Sequence, residues 1–212
     1  MTTPTRKFPR AALWLSVAAG LGGGGNLAMG GFAATAWAQP PAEPPPIASM
    51  ARGPLDPQAV PPPATPLLDA QILDLDDKPV SLRAMQGRVV IVLHQDRYSS
   101  EQNQSFKDRL GELVLRHPQK LQLIALAEAG GYNFWPARRY VKDALRPLRE
   151  LGGTLVACDW KGAVQKNYRI PARQSAVFVV GKDGTLQALK KGVLGEAEAA
   201  ALLSQIEKLA LG

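Results

Sequence analysis

Five apolar residues in an unbroken row, Val89 to Leu93, form the most hydrophobic strand-like run in the C-terminal two thirds of the chain. A continuous β-branched run of this kind predicts a central strand buried on both faces of a sheet. On either side the apolar positions switch between the two-residue and the 3.6-residue period. Upstream, Leu67 to Leu75 reads as a short strand, and Leu82-Arg83-Ala84-Met85 as a helical turn before Gly87. Downstream, Phe106, Leu110, Leu113 and Val114 recur at helical spacing inside a helix predicted over Ser99 to Arg116. A strand over Leu121 to Leu126 follows, then a helical segment over Ala137 to Leu151 that Pro147 is expected to break into two short helices. Next come a strand over Thr154 to Cys158 and a short helix over Gly162 to Tyr168. Ser175 to Val180 and Leu186 to Leu189 read as two strands of a hairpin turning at Lys182-Asp183-Gly184. The last helix, Glu196 to Leu211, places Ala199, Leu202, Leu203, Ile206 and Leu209 on one face. Strands alternating with helices and ending in a hairpin predict an α/β fold, a mixed central sheet with helices on both faces.

The first third of the chain follows none of these periods. Residues 1–10 carry Arg6, Lys7 and Arg10 with no acidic residue, and an apolar stretch runs from Ala11 to about Ala34. Ala36 and Ala38 then supply the small residues that precede a cleavage point at Gln39. Residues 1–38 therefore read as a secretory signal peptide. Glycines and Asn26 interrupt the apolar stretch, which makes an uncleaved membrane anchor the weaker reading. From 39 to 66 the sequence is dense in proline and lacks periodicity, as expected of an extended, disordered spacer. Residues 67–212 are left as the folded domain.

Export changes the meaning of the composition. The whole chain carries 25 Lys+Arg against 18 Asp+Glu, a net +7. Removal of the signal peptide takes three basic residues with it, leaving 22 against 18, or +4. So small an excess does not argue for nucleic acid as the partner, and export argues against it independently, so none is expected. The single cysteine, Cys158, closes no intramolecular disulfide and forms no Cys-x-x-Cys pair. With only His94 and His117 beside it, no metal site and no cofactor are expected.

Three stretches carry a resemblance: Gly87-Arg88-Val89-Val90-Ile91-Val92, the Asp159-x-x-Gly162 turn leading to Tyr168, and Ser175-Ala176-Val177-Phe178-Val179-Val180-Gly181-Lys182-Asp183-Gly184. Together they resemble the thioredoxin-like domain of TlpA-type and peroxiredoxin-type redoxins. His94 at the end of the central strand, the spacing from Asp159 to Ser175, and Gly192-Val193-Leu194 before the last helix look more narrowly like the exported YtfJ family. The resemblance implies the three-layer thioredoxin-like fold over about residues 67–210. It also implies a site at the start of the helix after the central strand, where the superfamily places two cysteines three apart. Ser99 and Gln102 stand at those positions, and Ser175 stands where the superfamily has a cis-proline that exposes backbone groups to an extended peptide. A serine hydroxyl takes no part in two-electron redox chemistry, so dithiol oxidoreductase activity is excluded.

The same residues have plainer readings. Ser99-Ser100-Glu101-Gln102 is a capping box, with anion binding at a helix N-terminus as its functional alternative. Cys158 reads as a small buried core residue or, alternatively, as a reactive thiol. Ser99, His94 and Asp96 could approach one another, but no Gly-x-Ser-x-Gly elbow supports hydrolysis. His94 reads as a strand-end residue with a satisfied ring, and His117 as a helix C-terminal residue. Tyr132, Phe134 and Trp135 lie in a glycine-rich loop ahead of a basic stripe, Arg139, Lys142, Arg146 and Arg149. Either the aromatics cover the core and the stripe is a solvated face, or together they bind an acidic peptide, lipid headgroup or glycan. The expectation is an exported, periplasmic or secreted binding or envelope-accessory protein without a dithiol redox site, its partner an envelope protein or peptide. Membrane contact is expected only through the signal segment, if that is uncleaved. The alternative is a thiol-dependent oxidoreductase or peroxidase-like enzyme using Cys158 with an external thiol.

Overall fold

The computed structural model describes residues 63–149 and 153–212. The expected signal peptide and nearly all of the expected spacer lie outside these residues. The chain runs α1 (Thr65–Leu68), β1 (Ile72–Asp74), β2 (Pro79–Val80), a 3-10 turn (Arg83–Met85), β3 (Val89–Gln95) and α2 (Gln104–Arg116). It continues through β4 (Leu121–Glu128), α3 (Ala137–Arg149), β5 (Thr154–Asp159), α4 (Ala163–Asn167), β6 (Ala176–Val180), β7 (Leu186–Lys191) and α5 (Glu196–Leu211). The seven strands form one sheet in the order β2-β1-β5-β4-β3-β6-β7. β3, β4 and β5 are parallel neighbours, while β6, β7, β1 and β2 pair antiparallel at the flanks.

The β-branched run does what its pattern predicts. Every residue of β3 is buried, because β4 and β6 flank it and helices cover both sides. Alternation sends Val89, Ile91 and Leu93 toward Phe106, Leu110 and Leu113 of α2 and toward Leu202 and Ile206 of α5. Val90 and Val92 face the opposite way, against Leu67, Val164, Tyr168 and Phe178. A third cluster lies under α3, where Leu148 meets Val156, Cys158 and Trp160. In the hairpin after β6, Gly184 has φ +81°, a conformation that glycine adopts without a Cβ clash.

The strand expected over Leu67 to Leu75 is instead a helical turn, α1, followed by the short strand β1, because Pro66 suits the first turn of a helix and Leu67 is buried from it. Pro147 does not split α3, which is continuous from Ala137 to Arg149. It stands two residues from the described end of that helix, where only the last turn is left to lose a hydrogen bond. The start of α2 also differs from expectation, for a reason that lies in the site.

Candidate functional site

Parallel β3, β4 and β5 end at one edge of the sheet, where open α/β folds place their ligands. Three segments emerge there: 96–103 after β3, 129–136 after β4 and 160–162 after β5. The segment 171–175 before β6 joins them, since the Arg173 N–H donates to Asp96 Oδ2 at 2.8 Å.

Ser99 does not cap α2. The helix begins five residues later, after Asn103, whose φ of 60° is left-handed. Asp96 intercepts the serine: Ser99 Oγ donates to Asp96 Oδ1 at 2.9 Å and accepts the Asp96 N–H at 3.0 Å. The same carboxylate oxygen also accepts the N–H groups of Tyr98 and Ser99. This Asx-type loop competes with the capping box and wins, because the carboxylate satisfies several donors at once.

Gln102 is likewise turned away from a cap. Its Nε2 donates to the Arg173 carbonyl at 2.9 Å and its Oε1 accepts the Ser175 N–H at 3.0 Å. One side-chain amide thus makes the two hydrogen bonds that a parallel strand would make across residue 174. Beside it, Asn103 Nδ2 donates to Ser175 Oγ and to the Gly192 carbonyl, both at 2.9 Å, and Asn103 Oδ1 accepts the Leu194 N–H at 2.7 Å. The cleft beneath, lined by Leu93, Gln95, Phe106 and Ser175, holds no space the size of a water molecule. The structure therefore brings Ser99, Gln102 and Ser175 to one place and occupies their hydrogen-bonding groups internally.

His94 is 1% exposed on the other face of β3. Neither ring nitrogen has a partner among the described residues, which corrects the expectation of a satisfied ring. The strand ladder uses only backbone groups, and the side chains of β3 neighbours Leu126 and Ala176 offer no polar atom. Burial pulls its pKa down to about 4, against the charges of Asp159 and Asp96. Ser99 Oγ bonds to Asp96 and not to His94, so no hydrolytic triad is assembled. Asp159, 1% exposed, is spent on structure: its Oδ2 accepts the Val164 N–H at 2.8 Å at the start of α4. Glu128 accepts the Gly130 N–H at 2.9 Å, and burial pushes its pKa upward.

Cys158 lies on β5, two strands from β3, and is fully buried. Burial pushes its thiol up to about 12, although Lys142 and Arg138 pull the other way. A nucleophilic thiolate needs exposure and a lowered pKa, and this thiol has neither.

Phe134 and Trp135 do not cover the core: they are 59% and 84% exposed, and Tyr140 on α3 is 70% exposed. Tyr132 is half-buried against the cluster under α3. Most of the basic stripe is already engaged. Lys142 and Arg138 both bond to Asp77 in the turn between β1 and β2, Arg149 pairs with Asp76 at 2.8 Å, and Arg146 reaches Asp143 at 3.2 Å. Arg139 keeps its head in solvent, 3.7 Å from Asp143. His117 closes α2 as expected, its N–H bonded to the Leu113 and Val114 carbonyls. Among the described residues no group of three His, Cys, Asp or Glu is placed to hold a metal.

Sequence reasoning overlooked Asn103, Arg97, Tyr98 and Arg173. Asparagine visits the left-handed region more readily than most residues, but an asparagine ahead of a helix reads first as an ordinary cap. The approach of Arg173 to Tyr98 joins segments 75 positions apart and leaves no local trace.

Among the described residues, seven strands of mixed direction with helices on both faces form a thioredoxin-like α/β fold. Among solved structures the chain is similar to MTB DsbF, with a TM-score of 0.50 and 14% identity over 68% of this chain and 97% of that one. Lower scores relate it to BsSco, a member of the Sco family of cytochrome c oxidase assembly proteins (TM-score 0.48, 15% identity, 66% of this chain and 90% of that one). StoA from Bacillus subtilis is similar at TM-score 0.45 and 15% identity, over 65% of this chain and 97% of that one. At these identities the likeness is one of fold. No family model matches the chain, and no curated protein matches it either.

Proposed function

We propose that this chain is an exported thioredoxin-like protein without a dithiol redox site, a binding or envelope-accessory protein akin to the YtfJ family. The observation that carries the reading is the state of the superfamily's redox position. Ser99 and Gln102 stand there, with Ser99 bonded to Asp96 and Gln102 bonded across Arg173 and Ser175. The one sulfur of a cysteine, Cys158, is buried two strands away with its pKa raised. A cis-proline before β6 is also missing; the cis bond among the described residues is Trp135–Pro136, in the aromatic loop. Export is supported by the sequence of residues 1–38, and a periplasmic or secreted location follows from it. Binding is supported by the exposed Phe134 and Trp135, which the core does not use.

The test is chemical. Purified protein should neither reduce the insulin disulfides with a thiol donor nor consume peroxide above a protein-free control. Activity that disappears in Cys158→Ser would establish the thiol-dependent enzyme instead.

A further inference from the structure

At the strand-end edge two arginines lie against one tyrosine ring. Tyr98 is 54% exposed, and the guanidinium carbons of Arg97 and Arg173 lie 4.4 and 4.8 Å from its ring centroid. Arg97 also donates to the Tyr98 hydroxyl. Two cations 76 positions apart in the chain are thus drawn to one ring. Neither guanidinium is ion-paired with a carboxylate among the described residues. The neighbouring carboxylate, Asp96, accepts three donors from its own loop and the Arg173 N–H, so its oxygens are committed to holding the loop. The next loop, which carries Tyr132, leaves the sheet at the same edge, because β3 and β4 are parallel neighbours. Phe134 follows, its N–H bonded to the Tyr132 carbonyl, and then Trp135.

We propose that the Arg97–Tyr98–Arg173 stack is the docking point for an acidic segment of a partner protein. The proposal rests on the non-redox binding reading above and supplies the partner's chemistry. Charge complementarity carries it: two neighbouring guanidinium groups match carboxylates, and exposed tyrosine, tryptophan and arginine are the residue types that dominate protein–protein contacts. The neighbouring cleft under Asn103 holds no space the size of a water molecule, so it offers no small-ligand pocket to extend the stack. An anionic membrane is disfavoured because such surfaces are held by clusters of about four to eight basic residues, and the loops of this edge carry three, Arg97, Lys161 and Arg173.

A short fluorescein-labelled peptide of alternating glutamate and phenylalanine, titrated against the full chain by anisotropy, tests the site. Wild type should bind it and leave the matching lysine–phenylalanine peptide unbound. Arg97→Gln/Arg173→Gln should weaken binding by about tenfold, the loss of two exposed ion pairs. Lys120→Gln/Lys182→Gln removes the same charge at the opposite edge, beside the start of β3, and should bind as wild type. Tyr98→Ala should also weaken binding, with no change of charge, and circular dichroism checks that each variant is folded. The proposal is overturned if wild type does not bind the acidic peptide, or if the arginine and lysine variants bind alike. It is equally overturned if vesicles containing phosphatidylglycerol, and not the peptide, are lost with the arginines. Insulin reduction reads Cys158 and not these arginines, so the redox reading and this site fail separately.

Discussion

His94 lies in the buried run of β3 with both ring nitrogens unpartnered among the described residues, and burial keeps it neutral at a pKa of about 4. An unfolded chain protonates the same ring near 6.5. Between those two values the unfolded state holds more protons, so stability falls as pH is lowered from about 6.5 to about 4. Above that range the residue adds no pH dependence. Its share of the loss is on the order of 3 kcal/mol. Glu128, raised by burial, acts with the opposite sign, so the readout is the difference between wild type and His94→Leu. Urea midpoints measured from about pH 8 down to about pH 4 should fall more gently in the variant. Identical slopes would mean that the imidazole is not the group responsible. Neither the neutral ring nor its lack of partners was legible in the sequence, where a histidine ending a strand looks like any other. Its state depends on Leu126 and Ala176, which the sheet places beside it.

At the scale of elements, the predicted periods are sound wherever apolar residues set them. β3, β4, β5, the hairpin and α5 stand where the patterns put them, because burial against a sheet or helix depends mainly on which residues are apolar. Expectation and structure part where polar side chains choose between local and distant partners. Ser-x-x-Gln reads as a cap, yet Asp96 takes the serine and the backbone before β6 takes the glutamine. Gln102→Ala should therefore leave the buried Ser175 N–H and the Arg173 carbonyl without their partner and cost about 1–3 kcal/mol, read from urea unfolding. A mere surface glutamine would cost less than about half a kcal/mol. The basic stripe of α3 is a similar case: its spacing is visible in the sequence, but Asp76 and Asp77, which neutralise much of it, come from a turn some sixty to seventy positions earlier.

For the molecule as a whole, the buried thiol offers a reporter. Cys158 sits between α3 and the sheet at 0% exposure, so a thiol reagent should label native protein only through opening, and label it fully in urea. Rapid, complete labelling of the native protein would contradict that burial. The count of one cysteine by itself removes the dithiol pair, because two-electron disulfide chemistry within a chain needs two sulfurs. The hydrophobic periods are likewise enough to define an α/β fold with β3 at its centre, since burial of apolar faces is what selects such a sheet. Tertiary structure alone decides which polar groups meet: Gln102 with the segment before β6, Asn103 with the turn before α5, and Arg173 with Tyr98. Hydrogen bonds and stacked charges are short-ranged and directional, and their partners are fixed only once the sheet has brought distant segments to the same edge.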